Sequence, residues 1–104
     1  MIFVETPVFT KLLMELLEDE EYSAFQRALL ANPRMGDVIT ETGGLRKARW
    51  AAKGQGKRGG VRIIYYCVDT AGQIRLLLIY PKGVQDDLTP QQKKQLKAIK
   101  DRWK

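Results

Sequence analysis

The feature that most constrains this fold is an apolar run in the second half of the chain. Residues 61–68 read Val-Arg-Ile-Ile-Tyr-Tyr-Cys-Val, which is rich in β-branched and aromatic side chains and apolar on both faces. A run of this length and character is typical of a central strand that is buried on both sides. Turn-forming residues 69–72 and a second apolar run at residues 74–80 follow, so the pattern predicts a β-hairpin.

Two amphipathic helical segments are predicted ahead of this hairpin. Thr6 and Pro7 are typical of a helix N-cap followed by proline at the first helical position. Apolar residues then recur at helical spacing, first at positions 9, 12, 13, 16 and 17, and again at positions 22, 25, 29 and 30. The acidic run 18–21 separates the two groups. The pattern therefore predicts a helical hairpin, or one long bent helix, that ends at Asn32 and Pro33.

The rest of the chain supplies shorter elements. A first strand is predicted around Phe3 and Val4, residues 34–44 read as a loop, and a strand follows in which Lys47 and Arg49 point one way. Its neighbours on the other face are predicted to be Arg46, Ala48 and Trp50. Thr89 and Pro90 begin a last helix, and its buried face is predicted from residues 96, 99 and 103.

The resulting order is one strand, two helices, three strands and one helix. Helices that precede a run of hairpin-linked strands indicate an α+β fold with a small antiparallel sheet. The 104 residues fit one domain, residues 1–104, with a modest core.

The amino-acid composition limits the cellular location that we expect and the kinds of catalytic or metal site that the chain can form. No apolar segment approaches the ~18 residues that a membrane helix needs, and the N-terminus has no basic region followed by a long apolar one. The single cysteine, Cys67, cannot form an intramolecular disulfide, so we expect a reduced thiol and a cytoplasmic location. With no histidine, one cysteine and one serine, the chain offers no zinc site and no hydrolase triad, and we expect no metal and no cofactor.

Charge is distributed unevenly along the chain. The net charge is +6, but residues 1–42 carry −5, residues 43–83 carry +8 and residues 84–104 carry +3. The middle part holds nine basic residues and one acidic residue, Asp69. A strip of this density is expected to bind a polyanion, with nucleic acid first. An anionic membrane surface fits less well, because the strip is not an amphipathic helix.

A basic, glycine-rich segment lies inside this strip. Residues 54–59, Gly-Gln-Gly-Lys-Arg-Gly, fit the pattern G-x-G-x-x-G. A dinucleotide site needs a helix after this pattern, and here a strand is predicted instead. The kinase-like alternative lacks its downstream motifs. A hairpin connection whose cations contact phosphates is the simpler interpretation.

Lys47, Arg49 and Arg62 are the first candidates for a functional site. Lys47 and Arg49 share a strand face, and Arg62 opens the neighbouring strand, where it could join them. The plain alternative is the solvated face of a sheet, and the pattern alone does not decide between the two. The sign of the charges favours function, because solvated faces usually mix signs.

Taken in order, these segments resemble the RelE/ParE superfamily of type II toxin–antitoxin systems, and its RelE/HigB-like branch most closely. The resemblance covers nearly the whole chain. It rests on residues 43–49 leading into residues 57–66, on residues 76–80 followed by Pro81 and Lys82, and on the polar helix that starts at Thr89. It implies one toxin domain, residues 1–104, with a helical hairpin, an antiparallel sheet and a C-terminal helix around a basic concave surface.

The resemblance also implies an activity and a set of site residues. The activity would be that of a ribosome-dependent, metal-independent endoribonuclease that cuts mRNA in the A site and inhibits translation. The family's paired basic strand residues match Lys47 and Arg49, its phosphate-binding arginine matches Arg62, and its basic residue after the fourth strand matches Lys82. The remaining cations of the strip are predicted RNA contacts: Arg46, Lys53, Lys57, Arg58 and Arg75.

The residues that would transfer protons during RNA cleavage are not decided by the sequence. The family's C-terminal catalytic tyrosine is missing after Tyr80, and the histidine that some members use is absent. Metal-free cleavage uses the 2′-hydroxyl of the RNA as nucleophile, and a guanidinium grips the phosphate with two bonds. A lysine crowded by cations gives up its proton more readily, so Lys47 or Lys82 is a candidate, as is Tyr80.

Two other functions stay open. A non-catalytic module that binds RNA or the ribosome would use the same surface, and the missing proton carriers favour it. A ParE-like gyrase inhibitor is a third possibility, because fold does not fix function. For a toxin, the resemblance implies a cognate antitoxin, a helix-turn-helix HigA-like protein, beside mRNA and ribosomal RNA as partners.

Overall fold

A computed structural model describes residues 1–52, 60–85 and 87–103. Over these ranges the chain forms three helices and one five-stranded sheet, so the fold is mixed α+β. The strands are β1 (Ile2–Glu5), β2 (Asp37–Val38), β3 (Arg46–Trp50), β4 (Val61–Val68) and β5 (Gln73–Pro81). The helices are α1 (Pro7–Leu16), α2 (Asp19–Ala31) and α3 (Pro90–Arg102).

The sheet order is β1-β5-β4-β3-β2. The predicted hairpin is confirmed, since β4 and β5 are antiparallel neighbours joined by a 3-10 turn at Asp69–Ala71. The prediction of a wholly antiparallel sheet is wrong, because β1 pairs with β5 in parallel. The two-residue strand β2 was also missed, and it pairs with β3 where a loop was expected. Two residues are too few to produce an alternating pattern.

Both predicted helix starts are confirmed. The Thr6 hydroxyl oxygen accepts a hydrogen bond from the Phe9 N–H at 3.0 Å, which satisfies one free donor of the first turn of α1. At α3, Thr89 and Gln92 form a reciprocal capping box. The acidic run falls at the break between α1 and α2, where Glu18 is the N-cap of α2.

The sheet has a core on each face. On one face, α1 and α2 pack against residues of β3, β4 and β5, and the fully buried members include Phe9, Phe25, Ile63 and Tyr65. On the other face, Leu96 of α3 packs against Ile64, Leu77 and Tyr80. A β-bulge opposite residues 64 and 65 leaves Leu77 as an extra residue in β5, and Leu77 is buried in this second core.

The second core is smaller than the sequence suggested. Leu96 is buried as predicted, and Trp103 packs partly against the cluster, but Ile99 is exposed. The buried face of α3 is therefore narrower than the one predicted from residues 96, 99 and 103.

Tyr65 ties the sheet to the chain that follows α2. Its hydroxyl donates to the Pro33 carbonyl oxygen at 2.8 Å and accepts from the Gly36 N–H at 3.0 Å. Burial raises the pKa of this phenol above its usual 10.0, so the tyrosine stays neutral and keeps both bonds. These bonds hold the segment that leads into β2 against the sheet, and β2 in turn lies beside the basic strand β3.

Candidate nucleic-acid interface

Three strands bring Arg49, Arg62 and Tyr80 into one cross-strand row. Arg49 of β3 is paired with Arg62 of β4, and Arg62 is paired with Tyr80 of β5. Directly paired residues place their side chains on the same face of a sheet. Lys47 lies two residues from Arg49 and shares that face. The predicted common face of Lys47, Arg49 and Arg62 is therefore confirmed.

Burial divides this row into an open part and a covered part. The Arg49 side chain is exposed, whereas Arg62 is 4% exposed and Tyr80 is 7% exposed. The Arg62 Nη1 donates to the Val61 carbonyl oxygen at 3.4 Å, a long hydrogen bond. A phosphate on the surface would therefore meet Arg49 first. It would reach Arg62 only after neighbouring atoms had shifted.

Lys47 is held by a carboxylate that the sequence analysis did not select. Its ammonium nitrogen lies 2.7 Å from the Asp87 Oδ1, and the Lys47 side chain is 15% exposed while that of Asp87 is 79% exposed. The hydrogen bond and the charge of Lys47 lower the pKa of the Asp87 carboxyl below its usual 3.8, with smaller contributions from Lys93 and Arg49. The surroundings of Lys47 are thus not purely cationic, which removes the premise for choosing it as a proton carrier.

The segment between β5 and α3 fixes the backbone of Asp87. The Gln85 amide donates to the Asp87 carbonyl oxygen at 2.9 Å and exchanges two hydrogen bonds with Gln92 at 2.8 and 3.2 Å. Leu88 is buried in the second core, and Thr89 caps α3. These contacts anchor the chain on both sides of Asp87. Its exposed carboxylate can still move without disturbing them.

Lys47, Arg49 and Asp87 open into a groove of about 390 Å³. Lys93, in the first turn of α3, is the third cation of this groove, and Asp37 of β2 adds a second carboxylate. The groove is lined by Asp37, Val38, Ile39, Thr40, Lys47, Arg49, Asp87, Leu88 and Lys93. A smaller depression of about 240 Å³ adjoins it and shares Asp37, Lys47 and Arg49. The exposed cations therefore face concave rather than flat surface.

Lys93 and Asp87 are the site residues that sequence reasoning missed. Asp87 lies 40 residues from Lys47 in the chain, and no local spacing relates the two. Lys93 is not among residues 96, 99 and 103, from which the buried face of the last helix was predicted, and it was not considered as a site residue. The available signal was the position of both residues next to Thr89 and Pro90, because a helix start after a central strand returns the chain to the face of the sheet.

Two predicted RNA contacts have structural roles on the described surface. Arg46 lies on the face opposite Lys47, and its Nη1 donates to the carbonyl oxygens of Gly36 at 2.7 Å and Arg34 at 3.3 Å. Arg75 is buried. Its guanidinium donates to the Trp103 carbonyl oxygen at 3.0 Å and lies 5.2 Å from the centre of the Trp103 ring. These contacts hold Arg46 and Arg75 away from Lys47 and Arg49, and the expectation that the two arginines contact RNA stays a prediction.

The other predicted residues lie around the edge of this surface. Lys82 is exposed just after β5, and its N–H donates to the Gly60 carbonyl oxygen at 3.1 Å, which joins the end of β5 to the start of β4. Lys82 is thus near the Tyr80 end of the row and does not line the groove. Lys53, Lys57 and Arg58, together with the glycine pattern 54–59, lie outside the described residues. The strand expected after that pattern is confirmed as β4.

No protein-family model matches the sequence. Among the described residues, no helix is long and apolar enough to span a bilayer. The function is therefore inferred from the groove, its charges and the order of the elements around it.

Proposed function

We propose that this chain is an RNA-directed toxin of the RelE/HigB-like type. Its activity is cleavage of mRNA on the ribosome, without a metal ion, and its location is the cytoplasm. In this proposal α1 and α2 correspond to the family's N-terminal helical hairpin, and α3 to its C-terminal helix. The observation that carries the proposal is the concave, cationic groove that Arg49 and Lys47 line beside the row Arg49, Arg62 and Tyr80.

The charge of this face suits a phosphate backbone. Arg49 projects from the sheet, Lys47 lines the same groove, and Lys93 enters it from α3. Cations that contact phosphates provide most of the affinity of a protein for nucleic acid without regard to sequence. A ribosome-directed enzyme needs this property, because the codon in the A site varies from one message to the next.

The chemistry assigns different tasks to the exposed and the buried cations. The 2′-hydroxyl of the RNA loses its proton and attacks the adjacent phosphorus, and negative charge accumulates on the phosphorane oxygens. The bond from phosphorus to the 5′-oxygen then breaks as that oxygen takes up a proton, which leaves a 2′,3′-cyclic phosphate and a 5′-hydroxyl. Arg49 binds those oxygens with a planar, permanently charged guanidinium. Arg62 reinforces it after the neighbouring atoms have moved aside, and Lys82 and Tyr80 are the candidates for proton transfer. The ribosome supplies in-line orientation of the message, an effect that can exceed that of acid–base catalysis.

A toxin of this type is stored with an antitoxin. The partner implied by the family is a helix-turn-helix protein of the HigA-like kind, and the substrates are mRNA and the surrounding ribosomal RNA. The segregation of charge fits these roles. The acidic residues of the first turn of α2 lie away from the basic groove, on the helices that cover the opposite face of the sheet.

A non-catalytic RNA- or ribosome-binding module is the second candidate. The observation that favours it is the burial of Arg62 and Tyr80, two of the five proposed catalytic residues. Lys47 and Arg49 suffice for binding phosphates, whereas cleavage needs groups that also move protons. The two candidates therefore differ in whether the message is cut.

Induction of the chain in growing bacteria, with the 5′ ends of cellular mRNA mapped, tests the proposal. We expect growth arrest and cuts phased to codons in translated messages. Arg49→Ala should abolish both, and Arg27→Ala, which removes an exposed cation from α2, should abolish neither. Arg62→Ala should also lose the cuts, and a melting curve must accompany it because Arg62 is buried.

Any different outcome of this experiment would indicate a different function. Arrest without cuts, with ribosomes bound by the chain, would establish the binding module. Arrest without cuts, with DNA damage and inhibited supercoiling, would establish a gyrase inhibitor of the ParE-like kind. No arrest, with RNA still bound by the purified chain, would reject the toxin and leave an RNA-binding domain.

A further inference from the structure

The Asp87 carboxylate sits inside a group of three cations. Its Oδ1 is 2.7 Å from the Lys47 nitrogen, and Arg49 and Lys93 line the same groove. Among the described residues, Asp37 of β2 also brings a carboxylate to this groove, and it is the direct cross-strand partner of Lys47. Asp101 on α3 forms ion pairs with Lys97 and Lys100, each at 2.8 Å, and does not line this groove. The surroundings of Asp87 are thus those of a bound anion.

We propose that Lys47, Arg49 and Lys93 form a binding site for one RNA phosphate, and that Asp87 occupies this site in the free protein. The inference deepens the proposed function and rests on it for the identity of the ligand as RNA. A phosphate of the bound strand displaces the carboxylate and takes its place on Lys47. Asp87 is therefore an internal competitor, not a catalytic residue.

The geometry of the pair supports this exchange. A carboxylate oxygen and a phosphate oxygen accept hydrogen bonds from an ammonium at the same 2.7–2.9 Å, so one can replace the other without a change in Lys47. Lys47 is mostly buried, and a counter-anion is needed to offset its lost hydration. Asp87 is mostly exposed, so its carboxylate regains water when it leaves. The exchange thus keeps a partner on Lys47 throughout.

Because the segment that connects β5 to α3 is anchored, only the Asp87 side chain has to move when RNA binds. Gln85, Leu88 and Thr89 hold the backbone on both sides of Asp87, so only a side-chain rotation is required to open the site. Side-chain rotations of exposed residues take picoseconds to nanoseconds. The carboxylate therefore affects the equilibrium for RNA binding and does not act as a slow gate.

Binding of a short RNA to the full-length chain tests the inference. The probe is a fluorescent ten-nucleotide single strand with 2′-O-methyl groups, which cannot be cleaved, and the readout is fluorescence anisotropy at low salt. Asp87→Asn should tighten binding by about threefold to tenfold, the effect of removing one competing charge within a few ångströms in a partly screened site. Asp101→Asn, which removes an equal charge from the ion pairs on α3, should change it by less than about twofold.

Lys93→Gln provides the second half of the test. It should weaken binding in both the native and the Asp87→Asn background, and a glutamine of similar length at this half-buried position in the first turn of α3 keeps the fold intact. The inference is overturned if Asp87→Asn binds RNA no better than the native chain, or if Asp101→Asn tightens binding equally. Weaker binding by Asp87→Asn would instead make Asp87 a group that positions Lys47, which also overturns the inference.

A parallel cleavage assay separates this inference from the proposed function. If the native chain cuts mRNA on ribosomes but Asp87→Asn does not tighten RNA binding, the inference fails and the function stands. If Asp87→Asn tightens binding but neither chain cuts mRNA, the phosphate site stands and the function becomes that of a binding module.

Discussion

Arg49 and Arg62 are cross-strand partners on the same face of the sheet, yet one is exposed and the other is buried. Two guanidinium groups in adjacent positions repel each other unless anions or water lie near them. A phosphate that approaches this face would contact Arg49 before the buried Arg62. Arg49 is therefore the first residue to substitute in a binding experiment.

Removal of Arg49 should change how RNA binding depends on salt. Each phosphate contact that is lost reduces the slope of log K against log salt by about 0.7 to 1. We expect Arg49→Ala to show this reduction with equal effects on unrelated sequences, because a phosphate contact carries no base information. Titrations at several salt concentrations measure it. An unchanged slope would place Arg49 outside the interface.

Arg46→Ala should affect folding and leave RNA binding alone. The substitution removes the donors to the Gly36 and Arg34 carbonyl oxygens, and we expect a loss of about 1–3 kcal/mol in the free energy of unfolding. Urea denaturation measures this loss, with Arg27→Ala as the exposed control. If Arg46→Ala instead weakened RNA binding as strongly as Arg49→Ala, our separation of the two faces would be incorrect.

The carboxyl of Asp87 should titrate below its usual 3.8. A depressed pKa in the folded state means that the ion pair with Lys47 is fully formed above pH 3.8 and is lost as the pH falls through the lower, folded-state pKa. Asp37 lines the same groove, and Lys47, Arg49 and Lys93 are the cations that face it. Carbon-13 NMR of the side-chain carboxyl follows the titration. Lys47→Ala should move the midpoint upward; an unmoved midpoint would show that Lys47 is not the cause.

Gly60→Ala should destabilise the start of β4. Gly60 has φ of +75°, which side chains rarely adopt, and an added Cβ would collide with the Trp50 carbonyl oxygen. We expect a loss of about 1–3 kcal/mol in the free energy of unfolding. Gly83→Ala is the matched control, because a Cβ there meets nothing within 4 Å. Thermal melts of the two variants should differ clearly, and equal melting temperatures would contradict the turn described here.

The elements that were predicted correctly are those marked by a local pattern in the sequence. The spacing of Phe9 and Leu13, the caps at Thr6 and Thr89 and the apolar run of β4 each reflect local physics, so their elements were recovered. The parallel pairing of β1 was not, because strand direction at a sheet edge depends on where the intervening helices return the chain. The strand β2 was missed because its two residues carry no pattern.

Only the part of the candidate site that follows from the alternation of side chains along a strand was predicted. The common face of Lys47 and Arg49 follows from a spacing of two, and their alignment with Arg62 follows from one hairpin register. Asp87 could not be found in this way, since its contact with Lys47 depends on how the segment after β5 folds back. The burial of Arg62 was not predicted either, because a charged residue in a strand is normally expected to be exposed to solvent.

The most direct test of the central claim uses purified chain and ribosomes loaded with a defined message. Primer extension on that message locates any cut, and reactions without ribosomes serve as the reference. We predict cleavage within the codon exposed in the A site, no cleavage of free RNA, and a rate about 10²-fold lower for Arg49→Ala, as expected when a group that stabilises transition-state charge is removed. The same rate for Arg49→Ala and the native chain, or an uncut message on ribosomes, would contradict the account.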